Sequence, residues 1–115
     1  MSIVAATSPI LRAIPETGQA WDDPSEDLLF MLLEDIEGGQ GNYLVVERIA
    51  DHSGQTYAQT VRRGDGSYVV EYRHGDADHH YGTVVTDMRA AHALLTAWAF
   101  EVTGWRERAD WSLIR

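Results

Sequence analysis

A short stretch rich in histidine and aspartate has the residue types of a metal site. His74, Asp76, Asp78 and His79 lie close together in the chain, and imidazole nitrogens with carboxylate oxygens are ligands used by catalytic zinc. If residues 75–78 form a loop between two strands, His74 lies opposite His79, close enough for both rings to hold one ion. An open coordination position would then take water. The same composition is also typical of a polar turn, where Gly and Asp are selected by the backbone.

Three further residues suggest acid–base chemistry or anion binding. Glu71 and Arg73 are two positions apart, so they share one face of a strand, and His80 lies near Arg73 across the predicted ladder. Together they could form an acid/base pair or an anion clamp. A cross-strand charge pairing on a solvated sheet is the alternative. No nucleophile with a partnered base can be named, so the sequence leaves an enzymatic role open and favours a non-enzymatic one.

Other catalytic signatures are missing from the sequence. The chain has no cysteine, which excludes disulfides, thiolate metal sites and a cysteine nucleophile. No Gly-x-Ser-x-Gly elbow occurs, and the glycine-rich residues 38–41 lack the lysine of a phosphate-binding loop. We therefore expect no cofactor.

An antiparallel sheet over residues 42–86 must position these polar groups. This segment is rich in β-branched and aromatic residues, and glycine–aspartate turns interrupt it. Taking residues 65–66 as a two-residue hairpin loop places Val61 opposite Val70, and the loop at 75–78 places Tyr72 opposite Tyr81. The face expected to form the core then carries Tyr57, Val61, Tyr68, Val70, Tyr72, Tyr81 and Val85. The second face carries Ala58, Thr60, Arg62, Val69, Glu71, Arg73, His80, Gly82 and Val84.

Two helices are predicted to cover one face of this sheet. The first spans residues 25–37, with Ser25 as N-cap, and its buried stripe is Leu29, Leu32, Leu33 and Ile36. The second spans residues 87–103, capped by Thr86 or Asp87. We thus expect one α+β domain over residues 1–115, with four to five strands in the order α-β-β-β-β-α.

The two ends of the chain are harder to assign. Residues 1–24 are predicted to be irregular, with either a helical turn from Ser8-Pro9 to Pro15 or an edge strand through Ile3 and Val4 as alternatives. Residues 104–115 form a tail in which Trp105 and Trp111 are expected to fold back on the core. Residues 1–15 lack the basic leader and apolar run of a signal peptide, so we expect a cytoplasmic protein.

The charge is strongly uneven along the chain. Residues 1–47 hold nine acidic residues and one arginine, a net charge of −8, whereas residues 48–115 hold nine acids and eight arginines, a net of −1. An acidic first half disfavours binding to nucleic acid, which needs clustered basic side chains. It favours attraction to a basic partner, or a solvated acidic face. No segment has the length and hydropathy of a membrane span.

The chain resembles a group of short uncharacterised actinobacterial α+β proteins. The resemblance covers residues 25–115 and rests on the VEYR strand, a His-Tyr pair, and a closing Gly-Trp and Trp, which occur here in TYAQTVRRGDGSYVVEYRHGDADHHYGTVVTD, LLTAWAF and GWRERADW. It implies a fold and no activity. In size and acidity the chain is also similar, at the level of class, to immunity proteins that neutralise toxins encoded beside them.

These observations favour a non-enzymatic, acidic interaction module of immunity-like or regulatory type that binds a protein partner, expected to be basic. Helix 25–37 has six consecutive apolar residues, so Phe30 and Met31 fall outside the buried stripe and need intramolecular cover or a partner. The residues predicted to contact a partner are Phe30, Met31, Glu34, Asp35, Glu71, Arg73 and His80. A small metal- or ligand-binding domain using His74 and His79 is the alternative. A homodimer through the second sheet face or through Phe30 and Met31 is a third hypothesis.

Overall fold

The computed structural model describes residues 8–114 of the chain. The alternative edge strand through Ile3 and Val4 lies outside the described residues. Among residues 8–114, neither helix has the length and apolar composition needed to cross a membrane.

Within residues 8–114, the fold consists of seven antiparallel strands and two α-helices. In chain order they are β1 (Leu11–Pro15), β2 (Trp21–Asp22), α1 (Glu26–Glu37), β3 (Tyr43–Arg48), β4 (Thr56–Arg62), β5 (Tyr68–His74), β6 (Asp76–Val85), α2 (Met88–Ala99) and β7 (Ser112–Leu113), with a short 3-10 helix at Trp105–Arg108. The strand order across the sheet is β2-β1-β3-β4-β5-β6-β7. An α+β class is consistent with this arrangement, but the predicted count of four to five strands is wrong.

The additional strands come from the two ends of the chain. β1 alternates buried and half-buried residues, and Leu11, Ala13 and Pro15 face the core. Strand β1 therefore occupies the place considered for a helical turn. β2 and β7 contain two residues each, and strands this short have too few residues for a recognisable alternation. β2 is held to β1 by an ion pair in which Arg12 Nε lies 2.7 Å from Asp22 Oδ1.

The helices begin where their capping residues predict. Ser25 Oγ accepts a hydrogen bond of 3.0 Å from the Leu28 amide, and the buried residues of α1 are the predicted four, Leu29, Leu32, Leu33 and Ile36. Asp87 Oδ1 caps α2 by accepting from the Ala90 amide at 2.9 Å. α2 ends earlier than predicted, at Ala99, because Glu101 adopts a positive φ of 51° that an α-helix cannot continue through.

The pairing of β4 with β5 corrects the predicted register. Arg62 lies opposite Tyr68, and the Arg63 amide donates to the Ser67 carbonyl at 2.8 Å, so the loop is residues 64–66 rather than 65–66. Gly66 takes a φ of 89°, as the last position of such a three-residue loop requires. One extra loop residue reverses the facing of every β4 side chain.

The core lies between the helices and one face of the sheet. α2 packs on β4 and β5, and α1 packs on α2 and β3. With the corrected register, Thr56, Ala58 and Thr60 of β4 are buried there, whereas Tyr57 and Val61 point to the other face. Trp105 and Trp111 pack against the core at its C-terminal side, as predicted. The opposite face of the sheet, which neither helix covers, is called the open face below.

Candidate interaction surfaces

Three rows of side chains cross the open face. Residues paired across antiparallel strands share a face, so the pairing fixes these rows. The apolar row is Tyr43, Val61, Val69 and Val84. The middle row is Ile14, Val45, Gln59, Glu71, Gly82 and Ser112. The polar row is Asp22, Arg12, Glu47, Tyr57, Arg73 and His80.

The apolar row is the least expected feature of this face. Tyr43 is 38% exposed, Val61 36% and Val84 54%, and the pairings Tyr43–Val61, Val61–Val69 and Val69–Val84 make the row continuous over β3, β4, β5 and β6. The sequence did not predict this row, because the expected register placed Val61 in the core. The register of β4 was the signal that would have found it.

Glu71, Arg73 and His80 form one hydrogen-bonded cluster at the other end of the open face. His80 Nε2 lies 2.6 Å from Glu71 Oε1, and Arg73 Nε donates to His80 Nδ1 at 2.9 Å. Because Nδ1 accepts, the ring proton sits on Nε2 and is donated to the carboxylate. The His80 ring also stands edge-on to Tyr57, with the ring centroids 5.9 Å apart. The predicted proximity of these three residues is therefore confirmed.

This cluster is chemically self-contained. Both nitrogens of His80 are engaged, and the residue is only 6% exposed, so the ring offers no free lone pair or proton to a substrate. Arg73 is used further, since its Nη1 donates to Gln55 Oε1 at 3.1 Å. The arrangement fixes strands β4, β5 and β6 to one another and keeps buried polar atoms paired.

The four residues of the hypothetical metal site are not brought together. His74 pairs with Asp76 at an irregularity in the β5–β6 ladder, so the predicted pairing of His74 with His79 is wrong. His79 Nδ1 instead lies 2.7 Å from Asp76 Oδ1 on the surface, and this contact lowers the pKa of Asp76. The Asp78 amide donates to the same oxygen at 3.0 Å. Within residues 8–114, no three His, Asp or Glu side chains are arranged to hold a metal ion.

The exposed side of α1 forms an acidic surface. It consists of Asp27, Met31, Glu34 and Asp35, which are exposed and fall on one side of the helix at i, i+4, i+7 and i+8. Met31 is 58% exposed, the highest value among the large apolar residues that the structure describes. α1 contains five acidic residues and no basic one.

Phe30 does not belong to this acidic surface. It is half-buried, with its ring centroid 5.1 Å from that of His92 and 5.6 Å from the guanidinium carbon of Arg89. α2 therefore supplies the intramolecular cover for Phe30, while Met31 remains open. Since α1 packs on the covered face of the sheet, its acidic surface points away from Glu71, Arg73 and His80. The seven predicted contact residues thus divide between opposite sides of the molecule.

An open cleft of about 370 Å³ lies where the C-terminal segment folds back. Its lining residues are Tyr72, Tyr81, Arg106, Ala109, Asp110 and Trp111. Tyr72 stacks on Tyr81 with the ring centroids 5.2 Å apart. The Trp111 ring stands edge-on to Tyr72, with the centroids 4.8 Å apart. Arg106 lies over the Tyr72 ring at 6.0 Å. Because Arg106 and Asp110 bring opposite charges to one cleft, its walls do not favour a ligand of either charge.

Comparisons with known proteins add no relative: no protein-family model, no curated protein and no solved structure matches this chain.

Proposed function

We propose that this protein is a non-enzymatic interaction module that binds a basic protein partner on the acidic surface of α1. The observation that carries the proposal is Met31, the most exposed large apolar side chain within residues 8–114, set among Asp27, Glu34 and Asp35 on a helix without a basic residue. An unbranched thioether adapts to the shape of a partner surface. Carboxylates around it attract and orient a cationic partner.

The acids of this surface are available for a partner. Within residues 8–114, the ion pairs of Asp and Glu involve Asp22, Glu37, Glu71 and Asp76, so Asp27, Glu34 and Asp35 are not neutralised by them. The net charge of −9 accelerates encounters with a cationic protein and opposes binding to nucleic acid.

A binding role also agrees with the chemistry of the polar cluster. An immunity-like or regulatory protein acts by stoichiometric binding and needs no group that transfers protons. The side chains of Glu71, Arg73 and His80 form hydrogen bonds with one another and do not point into a cavity. This arrangement is typical of a cluster that stabilises the fold. The hypothesis of an immunity-like function predicts that a toxin gene lies beside the gene for this protein.

The test is capture of a partner from the source organism, followed by titration with the purified partner. The charge-reversing double variant Glu34→Lys with Asp35→Lys should weaken binding at least about tenfold, which is a loss of about 1.4 kcal/mol. Asp78→Lys with Glu107→Lys makes the same charge change at other exposed positions and should retain most of the affinity. Lysines near the C-terminal end of a helix interact favourably with the helix dipole, so the Glu34→Lys, Asp35→Lys variant should remain folded.

Ionic strength provides the second readout. Exposed charges are screened over about 8 Å at physiological salt, so the affinity of the wild type should fall as salt rises. A captured partner whose affinity responds neither to salt nor to the α1 variant would overturn the proposal.

A further inference from the structure

We propose that two copies of this chain associate as a symmetric dimer by packing their open faces against each other. This inference concerns the side of the molecule opposite α1 and is independent of the partner proposed above. The two surfaces are separated by the thickness of the fold, so one protein could use both at once.

The apolar row gives the dimer its contact. A sheet face that remains in water normally alternates with polar side chains, yet Tyr43, Val61, Val69 and Val84 lie side by side over four strands. Three of the four are at least one-third exposed. Burying such a row removes apolar surface from water, which is the main favourable contribution to association.

The register of the sheet supplies a symmetry that matches the rows. A twofold axis parallel to the strands and midway between β4 and β5 sets each row against itself in the second copy, as aligned sheet packing does. Val61 then faces Val69 of the second copy, and Tyr43 faces Val84. The same operation places β3 over β6 and β4 over β5, so the central strands overlap fully.

Charge favours a second copy over a charged partner on this face. The open face carries Arg12 and Arg73 against Asp22, Glu47 and Glu71, a net of −1, although the whole chain carries −9. The acidic surface of α1 lies on the far side in both copies. Repulsion between the two chains is therefore weak in this orientation.

The polar pairings across the proposed interface are also compatible. In the twofold arrangement Gln59 faces Glu71 of the second copy, and Tyr57 faces Arg73, a contact of cation–π type. Glu47 faces His80. No two acids and no two arginines of the central strands meet, so the interface places no like charges together.

The area of the open face that two copies can bury limits the affinity of the dimer. The four overlapping strands, spaced about 4.8 Å apart and seven residues long at about 3.3 Å each, give a flat area of roughly 440 Å² per copy. That lies below the standard specific interface, which buries about 800 Å² per partner, and in the range of weak, transient contacts. We therefore expect a reversible dimer with a dissociation constant on the order of micromolar rather than an obligate one.

Sedimentation velocity on the tag-free full chain, from about 1 to several hundred micromolar, tests the inference. We expect a concentration-dependent shift from monomer to dimer. Val61→Lys and Val84→Lys should each leave the protein monomeric across this range. Both changes reduce the negative charge of the chain, so a loss of dimer cannot come from added net repulsion.

Met31→Lys is the matched control, since it makes the same kind of change on the acidic surface. It should leave dimerisation unchanged, and circular dichroism should show that all three variants are folded. A wild type that stays monomeric at every concentration overturns the proposal. A dimer that survives both valine variants, or that only Met31→Lys dissociates, also overturns it, in the latter case in favour of an interface on α1.

Discussion

His80 on β6 and Glu71 on β5 are joined by a hydrogen bond of 2.6 Å between Nε2 and Oε1 on the uncovered side of the sheet. The two residues are not directly paired across the ladder, since Glu71 lies opposite Gly82. A bond between neighbouring rows ties the middle row to the polar row. It also leaves no ring nitrogen of His80 free, because Arg73 occupies the other one.

The first prediction concerns the cost of leaving His80 without an acceptor. Glu71→Ala should lower the free energy of unfolding by about 1–3 kcal/mol, because a buried N–H loses its partner. Glu71→Gln keeps an oxygen that can accept from Nε2 and should cost clearly less. Urea denaturation of the two variants gives the comparison, and equal losses would show that the bond does not stabilise the fold.

The second prediction is a pH dependence at Glu37, the last residue of α1. Its Oε2 accepts hydrogen bonds from the Tyr68 hydroxyl at 2.5 Å and from Arg62 Nε at 2.7 Å, and these lower the pKa of Glu37, the tyrosine contributing most. Tyr68 itself has a raised pKa because it is buried and bonded to the carboxylate.

A carboxylate with a lowered folded pKa stabilises the protein fully above its unfolded pKa of about 4.3, and that contribution is lost as the pH falls through the folded value. The difference in unfolding free energy between wild type and Glu37→Gln should therefore shrink on acidification. Since this carboxylate is partly exposed, the change should stay below about 1 kcal/mol. Glu34→Gln on the same helix is the control, and a similar trend for both variants would contradict the assignment to Glu37.

The third prediction concerns Arg48 on β3, which binds the end of α2. Its Nη2 donates to the Trp98 carbonyl at 3.1 Å, and its guanidinium carbon lies 4.6 Å from the centre of the Trp98 ring. α2 has no basic residue in its own last turn, so Arg48 supplies the positive charge that favours a helix C-terminus.

Arg48→Met should destabilise the protein by about 1–2 kcal/mol, through loss of the carbonyl contact and the cation–π contact. Arg48→Lys keeps the charge without the planar stacking, so its stability should lie between those of the wild type and Arg48→Met. Arg108→Met changes an exposed arginine and should have little effect. Thermal unfolding distinguishes these outcomes; a lysine variant as unstable as the methionine variant would contradict a role for the charge.

Local signals in the sequence were sufficient for the helices. Ser25 and Asp87 cap their own helices through backbone amides three residues away, and such contacts depend little on the rest of the fold. The stripe Leu29, Leu32, Leu33 and Ile36 was readable because helical spacing alone places these residues on one side. The pairing of Tyr72 with Tyr81 was likewise confirmed.

Other features depended on distant parts of the chain. β1, β2 and β7 are strands because neighbouring strands supply their hydrogen bonds, and within two to five residues the alternation is too brief to read. The two-histidine basis of the metal hypothesis failed because β6 begins at Asp76, closer to His74 than the assumed loop allowed.

The amino-acid sequence by itself determined an acidic α+β chain with two capped helices and a β-rich centre, since caps, helical periodicity and charge act over a few residues. Tertiary structure alone decided which β4 side chains lie on the open face, whereas the sequence had already placed Val69, Glu71, Arg73, His80, Gly82 and Val84 on that face. The loop between Arg63 and Ser67 has three residues instead of the expected two, and this one additional residue reverses every side chain of β4, because strand facing has a period of two. That reversal moved Val61 from the expected core into the apolar row. Glu71, Arg73 and His80 lie on β5 and β6, so they stayed together on the face where the sequence placed them.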